Sequence, residues 1–353
     1  MAKLFYIIII LLLAWVIPFA CTTEDTPSSP KVLTILTHDS FDIGAEVVAK
    51  FEAESNSIVS IVKGGDAGEV LNKAILTKGN PIADLLYGID NTFLTRALEE
   101  NIFVAYRSPL LDNIPADYHL DPAHHVMPVD LGFVAINYDY AWLSAAGLTA
   151  PKNLLDLTEP KWKGLLVVQN PATSSPGLAF LFSTISQFGE TGDYTYLDYW
   201  RDLKENDVLV KNGWSDSYYG DFSLHGGNRP LVVSYSTSPA AEVFYSEGMH
   251  TTPPSGVITS AGSAFMQIEG IGILRGTSHE KLAKKFVDFA MGTTFQEDFP
   301  TRMWVFPANK LAVTSGAFAD FTEKPAAPAR LSSDSIASNR DRWIKEWTEV
   351  VIH

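Results

Sequence analysis

Two kinds of apolar segment alternate along the first part of this chain, and their order constrains the fold more than any other sequence feature. Short apolar runs at 32–37, 58–62 and 83–87, the first of them β-branched, are separated by helical patterns at 45–54 and 70–76. Apolar runs of this length, bounded by polar turns, are typical of buried strands. Strands that alternate with helices form parallel βαβ units, in which ligands bind beyond the carboxyl ends of the strands.

The alternation stops and then starts again. A longer extended run covers residues 126–138, and the pattern resumes with a strand at 165–168, a helix at 178–188 and a strand at 231–235. A second extended run follows at 265–274. We therefore predict an α/β protein in which two α/β lobes are joined by two crossing strands, with the ligand cleft between them. A protein of this design binds its ligand by closing.

The same pattern predicts how the chain is divided between the lobes. Residues 31–132 and 264–310 are expected to form the first lobe, and residues 133–263 the second. Residues 311–353 are expected to form a C-terminal helical segment that packs on the lobes. The chain therefore passes from the first lobe to the second and back again.

The N-terminus has the composition of an export signal. Lys3 precedes an apolar run at residues 4–17, and Cys21 directly follows the small residue Ala20. A positive charge, an apolar core and a small residue at the cleavage site are the features of a secretory signal peptide. A cysteine directly after that small residue resembles the signal of a bacterial lipoprotein.

This pattern predicts that residues 1–21 are a lipoprotein signal peptide with a lipidated Cys21, followed by a flexible tether at residues 22–30. Pro18 departs from the lipoprotein motif, which usually has an aliphatic residue there. Two alternatives remain open: an ordinary cleaved signal peptide, and an uncleaved membrane anchor for which the apolar run is slightly short. The body of the protein is expected in the periplasm or at the outer face of the cytoplasmic membrane, held there by the lipid.

Charge and motif content argue against several classes of function. The 353 residues include 41 acidic and 26 basic side chains, and the net charge of −15 repels the phosphate backbone of nucleic acids. Cys21 is the only cysteine, so no disulfide framework or cysteine-based zinc site can form. The sequence motifs of serine hydrolases, zinc proteases and P-loop NTPases are missing. We therefore predict a protein that is not an enzyme and uses no metal or cofactor.

Three loops carry aromatic or hydroxyl side chains at positions that suit a ligand. Trp214 follows Gly213 in a polar loop, where it either plugs the protein surface or forms a stacking wall for a flat ligand. Hydroxyl-rich segments at residues 173–177 and 236–239 each leave a strand and enter a helix, the second of which begins near Pro239. Free backbone N–H groups at such helix starts suit a polar or anionic ligand group.

Together these segments resemble the thiamine-binding proteins of bacterial ABC importers. The motifs that carry the resemblance, in the same order and with similar spacing, are residues 37–41, 170–177, 211–215, 234–239, 304–307 and 342–347. The resemblance implies the fold of type II periplasmic binding proteins. It also implies a monomer that captures thiamine or a thiamine phosphate and delivers it to a membrane permease with its ATPase subunits.

The resemblance also implies roles for individual residues. In that family thiamine stacks on aromatic side chains, so Trp214 and Tyr235 would be stacking walls and Trp304 a further aromatic contact. Acidic residues would lie against the ligand ring, with Asp39 balancing the thiazolium charge, and hydroxyl groups would hold its polar tail. The other ligand-binding residues implied are His38, Asp66, Ala67, Ser174, Ser175, Ser236, Thr237, Ser238 and Pro239.

Two other functions stay open at this point. A ferric-iron transport protein would use Tyr218 and Tyr219 as phenolate ligands, completed by His38 and an acid such as Glu69. An exported hydrolase of thiamine phosphates is the third possibility. The absence of an evident nucleophile and base pair in the sequence argues against that enzyme.

Overall fold

Eleven strands form one mixed β-sheet in the computed structural model, which describes residues 29–353. Residues 31–353 belong to one compact unit. The predicted signal peptide, the lipidated Cys21 and most of the predicted tether lie outside the described residues. The strands are β1 (Lys31–Thr37), β2 (Ser57–Lys63), β3 (Leu85–Asp90), β4 (Phe103–Val104), β5 (Val126–Asp139), β6 (Leu166–Gln169), β7 (Leu209–Lys211), β8 (Leu231–Tyr235), β9 (Ser255–Val257), β10 (Phe265–Leu274) and β11 (Phe306–Pro307).

The sheet consists of two parallel sets of strands joined by two long antiparallel strands. Its order is β2-β1-β3-β10-β5-β8-β6-β7, while β4 pairs with β10, and β9 and β11 pair with β5. Strand β1 runs parallel to β2 and β3, and β6 runs parallel to β7 and β8. Strands β5 and β10 run antiparallel to each other and connect the two sets. The predicted α/β architecture with two crossing strands is therefore confirmed.

Helices cover both faces of this sheet. The helices are α1 (Ala45–Ser55), α2 (Ala67–Leu76), α3 (Leu94–Glu99), α4 (Tyr140–Ala145), α5 (Ser175–Phe188), α6 (Tyr196–Glu205), α7 (Ser238–Tyr245), α8 (Glu280–Ala290), α9 (Thr293–Gln296), α10 (Phe299–Arg302), α11 (Gly316–Phe321) and α12 (Ser333–Val351). A single π-helical turn covers Asp216–Asp221 within the described part of the chain. Because helices pack on both faces, β3 and nearly all of β5 are buried along their whole length.

Glycines in β10 allow neighbouring segments to approach its backbone closely. A Cβ atom at Gly272 would lie 2.5 Å from the ring of Phe103, and one at Gly270 would lie 2.6 Å from Val126. The register against β5 shifts between Glu269 and Gly270. Irregularities of this kind redirect side chains in a sheet, and Glu269 lines the cavity described below.

The C-terminal residues contain α11 and α12, and α12 packs through tryptophans. The Trp343 ring lies 5.7 Å from Phe182 of α5, and the Trp347 ring lies 5.5 Å from Trp200 of α6, both in edge-to-face contact. Both tryptophans are buried, so this helix belongs to the core. Within residues 29–353 no helix is both long enough and apolar enough to span a membrane.

Candidate ligand-binding site

A cavity of about 810 Å³ opens where several parallel strands end. His38 follows β1, Asp66 follows β2, Ser175 follows β6, Trp214 follows β7 and Thr237 follows β8, and all five line the cavity. The carboxyl ends of parallel strands are where α/β sheets bind ligands. The volume is in the range of small-molecule sites.

Most of the residues implied by the family resemblance meet at this cavity. Those that line it are His38, Asp39, Asp66, Ala67, Ser175, Trp214, Tyr235, Thr237, Ser238 and Trp304. Ser174, Ser236 and Pro239 are buried and do not line it. Ser174 caps the start of α5, Pro239 lies in the first turn of α7, and the Ser236 amide donates a hydrogen bond to the Phe133 carbonyl at 2.8 Å. These three residues shape the walls of the cavity and do not face it.

Trp214 and Tyr218 form an aromatic wall of the cavity. Their rings are nearly parallel, at 16°, with centroids 4.8 Å apart. The indole N–H of Trp214 donates a hydrogen bond to Ser234 Oγ at 3.0 Å, and the Tyr235 ring lies 6.3 Å away at 65°. Trp214 therefore packs on protein and also lines the cavity, while its stacking on a ligand stays a prediction.

Trp304 lines the cavity from a distorted backbone. Its φ of +56° lies in the left-handed region, which is unfavourable for a bulky side chain. Its amide donates to the Phe299 carbonyl at 2.9 Å, its carbonyl accepts the Thr237 hydroxyl, and its indole N–H donates to Tyr245 Oη at 3.3 Å. These contacts hold the indole in place and connect it to the start of α7.

Asp66 bridges two sides of the cavity. Its carboxylate accepts hydrogen bonds from the Ala67 amide at 2.7 Å and, across the cavity mouth, from the Trp214 amide at 2.9 Å. Next to it, the Gly68 amide donates to the Thr173 carbonyl at 3.0 Å. Burial raises the pKa of the Asp66 carboxyl, although the two amide hydrogen bonds favour its charged form. This bridge joins segments from the two parallel sets of strands.

His38 and Glu269 form a buried pair at the cavity. His38 Nε2 lies 3.7 Å from a carboxylate oxygen of Glu269. Burial opposes protonation of the imidazole, but the nearby carboxylate outweighs burial, so the pKa of His38 is raised. Asp39 lies at the same edge and accepts a hydrogen bond from the Gly65 amide at 2.9 Å.

Further acidic groups lie behind this pair and were missed by the sequence analysis. Tyr87 Oη donates to Asp130 at 2.5 Å, and the Gln267 amide donates to Asp90. Burial, followed by repulsion from Glu269, holds the pKa of Asp130 well above its usual range. A signal was present in the sequence, since Asp130 and Glu269 are acidic residues within largely apolar strands.

The tyrosines proposed for iron are arranged differently from phenolate ligands. Tyr218 Oη donates a hydrogen bond to Glu242 at 2.6 Å, and burial with the nearby carboxylate raises its pKa well above the usual value. Tyr219 is 56% exposed. No group of three or more His, Cys, Asp or Glu suited to a metal ion occurs among residues 29–353. This geometry favours neutral phenols at both positions.

Comparison with known proteins places the chain in a family. Residues 80–339 match the family described as bacterial extracellular solute-binding protein. The chain belongs to this family. Its fold and the position of its cavity agree with that assignment, and the predicted resemblance can now be compared with individual solute-binding proteins.

Curated relatives of this solute-binding protein include proteins named for thiamine. The thiamine-binding periplasmic protein of Escherichia coli (strain K12) is 31% identical, with 91% of this chain and 93% of that protein covered. The thiamine-binding periplasmic protein of Salmonella typhimurium is 30% identical over the same shares. The iron uptake protein A1 of Synechocystis is 22% identical, over 83% of this chain and 82% of that protein. The resemblance to thiamine-binding proteins is confirmed.

Solved structures show the same order of similarity. A periplasmic thiamin binding protein superimposes with a TM-score of 0.80 at 28% identity, covering 91% of this chain and 96% of that chain. The ferric binding protein from Campylobacter jejuni has a TM-score of 0.72 at 20% identity, covering 90% and 99%, and shows the shared fold alone. The predicted fold of type II periplasmic binding proteins is confirmed.

Proposed function

We propose that this protein captures thiamine or a thiamine phosphate outside the cytoplasm and delivers it to the permease of an ABC importer. The observation that carries the proposal is the cavity with its aromatic wall of Trp214 and Tyr218 and its acidic lining. Thiamine has a flat heterocycle with a permanent positive charge, and aromatic faces attract such cations by about 0.5–2 kcal/mol per good contact. The identity of about 30% to thiamine-binding periplasmic proteins supports the same conclusion.

The charge of the cavity supports a cationic ligand. Its acidic side chains are Asp39, Asp42, Asp66, Glu69, Asp216, Glu242 and Glu269, whereas Arg302 is its only lysine or arginine among the described residues. A cavity with this excess of carboxyl groups raises the local concentration of cations. Tyr218 already donates its hydroxyl to Glu242, so it would have to give up this hydrogen bond to bind a ferric ion.

The polar tail of the ligand is proposed to lie at two helix starts. Ser175 begins α5, and Thr237 and Ser238 lie at the start of α7, and all three line the cavity. Hydroxyl and amide groups at such positions hydrogen-bond to a hydroxyl or a phosphate. Ser174, Ser236 and Pro239 support these helix starts from within the protein.

The remaining parts of the proposal concern domains and location. Cleft closure is proposed to bring residues 31–132 and 264–310 against residues 133–263, with residues 311–353 packed on both lobes. A lipid on Cys21 would hold the monomer at the membrane surface through the tether at 22–30, close to the permease and its ATPase subunits. Binding and delivery need no catalytic step, metal or cofactor, so the protein is proposed not to be an enzyme.

Titration calorimetry with thiamine, thiamine monophosphate and thiamine diphosphate tests the proposal. We expect saturable binding of at least one of them, with quenching of tryptophan fluorescence. Two parallel assays address the alternatives: ferric citrate should give no visible tyrosinate band, and thiamine phosphates should release no inorganic phosphate. Absence of thiamine binding together with a visible iron band would transfer the assignment to iron transport, and steady phosphate release would make the protein an enzyme.

A further inference from the structure

Glu242 lies at the aromatic wall and was not singled out in the sequence. It belongs to α7, lines the cavity and is only 8% exposed. One carboxylate oxygen accepts the Tyr218 hydroxyl at 2.6 Å, and the other accepts the Ser255 hydroxyl. Tyr218 in turn stacks on Trp214. The carboxylate is thereby connected to the wall through a single hydrogen bond.

We propose that Glu242 sets the preference of the cavity for a cationic ring, by holding Tyr218 against Trp214 and by placing a negative charge beside the stacked pair. This inference rests on the proposed function. A carboxylate that accepts a phenol hydrogen bond increases the electron density of the phenol ring. The electrostatic attraction between a cation and an aromatic wall grows with that density. Glu242 is therefore a positioning residue that acts through Tyr218.

The surroundings of Glu242 leave its charge without a partner. No Lys or Arg forms an ion pair with it in the described part of the chain. Asp139 at the end of β5 repels it as a like charge. The titratable groups that face it from the π-helical turn are Tyr218 and Tyr219. A ligand cation in the cavity would supply the missing opposite charge.

Other titratable groups near the wall take no part in this hydrogen bond. The His225 ring lies 4.8 Å from Tyr218, and burial lowers its pKa, so it is neutral near pH 7. Tyr245, the last residue of α7, and His250, which follows this helix, also line the cavity. Glu242 is thus the acid of the wall whose charge changes near neutral pH, because burial raises its pKa to about 7.

The inference makes ligand preference depend on pH. When Glu242 ionises, the wall gains a negative charge, so affinity for a cationic ring should rise with pH, and ligand binding should release protons near pH 7. The affinity for a neutral ring of the same shape should stay constant. The neutral probe is an isostere of thiamine with carbon in place of the thiazolium nitrogen. It keeps the aminopyrimidine ring of thiamine, so any titration of that ring is common to both ligands.

The experiment compares thiamine with this neutral isostere by titration calorimetry between pH 5.5 and 8.5. For the wild type we expect thiamine affinity to rise about tenfold across this range, while isostere affinity stays flat. Glu242→Gln should reduce the pH dependence to the part that His38 and Asp66 contribute, and should weaken thiamine binding about tenfold at pH 8, without affecting the isostere. Glu242→Asp should restore part of the pH dependence. Glu247→Gln, which removes the same charge at an exposed position just after α7, is the matched control.

The outcomes separate this inference from the proposed function. If the wild type binds no thiamine at any pH, the proposed function fails. If it binds thiamine and Glu242→Gln keeps the wild-type pH profile and preference, the role of Glu242 is refuted. Should Glu242→Gln not fold, Tyr218→Phe replaces it. That variant keeps the ring and removes the hydroxyl, so at least a threefold loss of preference for thiamine over the isostere supports the inference, and an unchanged preference overturns it.

Discussion

Gly68 offers a direct test of cleft closure. It lies in the first turn of α2, and its amide donates a hydrogen bond to the Thr173 carbonyl on the other side of the cavity. A Cβ atom at this position would lie 2.7 Å from that carbonyl oxygen and 2.9 Å from the carbonyl oxygen of Ala172. Both neighbours are backbone atoms, so no side-chain rotation can relieve the contact. In Gly68→Ala the two segments must therefore move apart by several tenths of an ångström.

The size of the effect follows from two contributions. The lost hydrogen bond is worth about 1 kcal/mol, and overpacking of this kind costs roughly 1–3 kcal/mol. If closure accompanies binding, a closed state weakened by the sum of the two, about 2–4 kcal/mol, lowers the affinity roughly 30- to 900-fold. Folding stability should change little, because alanine is the better helix former and the two segments can separate.

Calorimetry and small-angle scattering on the same samples provide the measurement. The wild type should bind thiamine with a decrease in radius of gyration, whereas Gly68→Ala should bind weakly and compact less. Gly220→Ala is the matched control, since a Cβ atom there would meet nothing within 4 Å. Full affinity and full compaction in Gly68→Ala would show that the contact between Gly68 and Thr173 is not part of the ligand-bound state.

Three further predictions follow from the site and the N-terminus. Trp214→Ala should lower thiamine affinity by about 1–3 kcal/mol and stability by about 1–2 kcal/mol, because its ring packs on Tyr218 and its N–H binds Ser234; unchanged calorimetry would contradict this. Burial raises the pKa of Glu242 from 4.5 to about 7, so its stabilising protonated form is lost as pH rises through 7. Glu242→Gln should then be more stable than the wild type at pH 8, by at most about 3 kcal/mol in free energy of unfolding, and equally stable at pH 4. A difference in free energy of unfolding that stays constant across pH would refute this. Cys21→Ser should release the protein from membranes in cell fractionation, and retention with an intact N-terminus would argue against lipidation.

The sequence predicted the strands of the site better than its side chains. The runs around β1, β8 and β10 were found because an apolar, β-branched run between polar turns has few alternatives to a buried strand. The loops after β1, β6 and β8 could then be placed together, since the carboxyl ends of parallel strands share an edge. Local patterns of this kind determine which segments form the cavity.

Side-chain direction within those loops could not be read in the same way. Ser174 and Ser175 are neighbours with the same chemistry, yet only Ser175 lines the cavity. The difference arises from the dihedral angles at the start of α5, where Ser174 is the extended capping residue. Glu242 was missed for a related reason, because a glutamate in a helix is ordinarily exposed, and only the packing of Tyr218 and Ser255 around it makes it buried.

The buried acids explain how charge can matter more than shape in this cleft. Burial raises the pKa of Asp130, and repulsion by the nearby carboxylate of Glu269 raises it further. In the described part of the chain, His38 is the basic residue that pairs with Glu269. A cationic ligand beside Glu269 relieves part of this repulsion, and at a hundredfold excess over its Kd it would stabilise the folded protein by about 2.7 kcal/mol. A neutral molecule of the same outline fills the same volume but leaves the repulsion in place. We therefore expect the cleft to select a flat heterocycle by its positive charge as well as by its fit against Trp214.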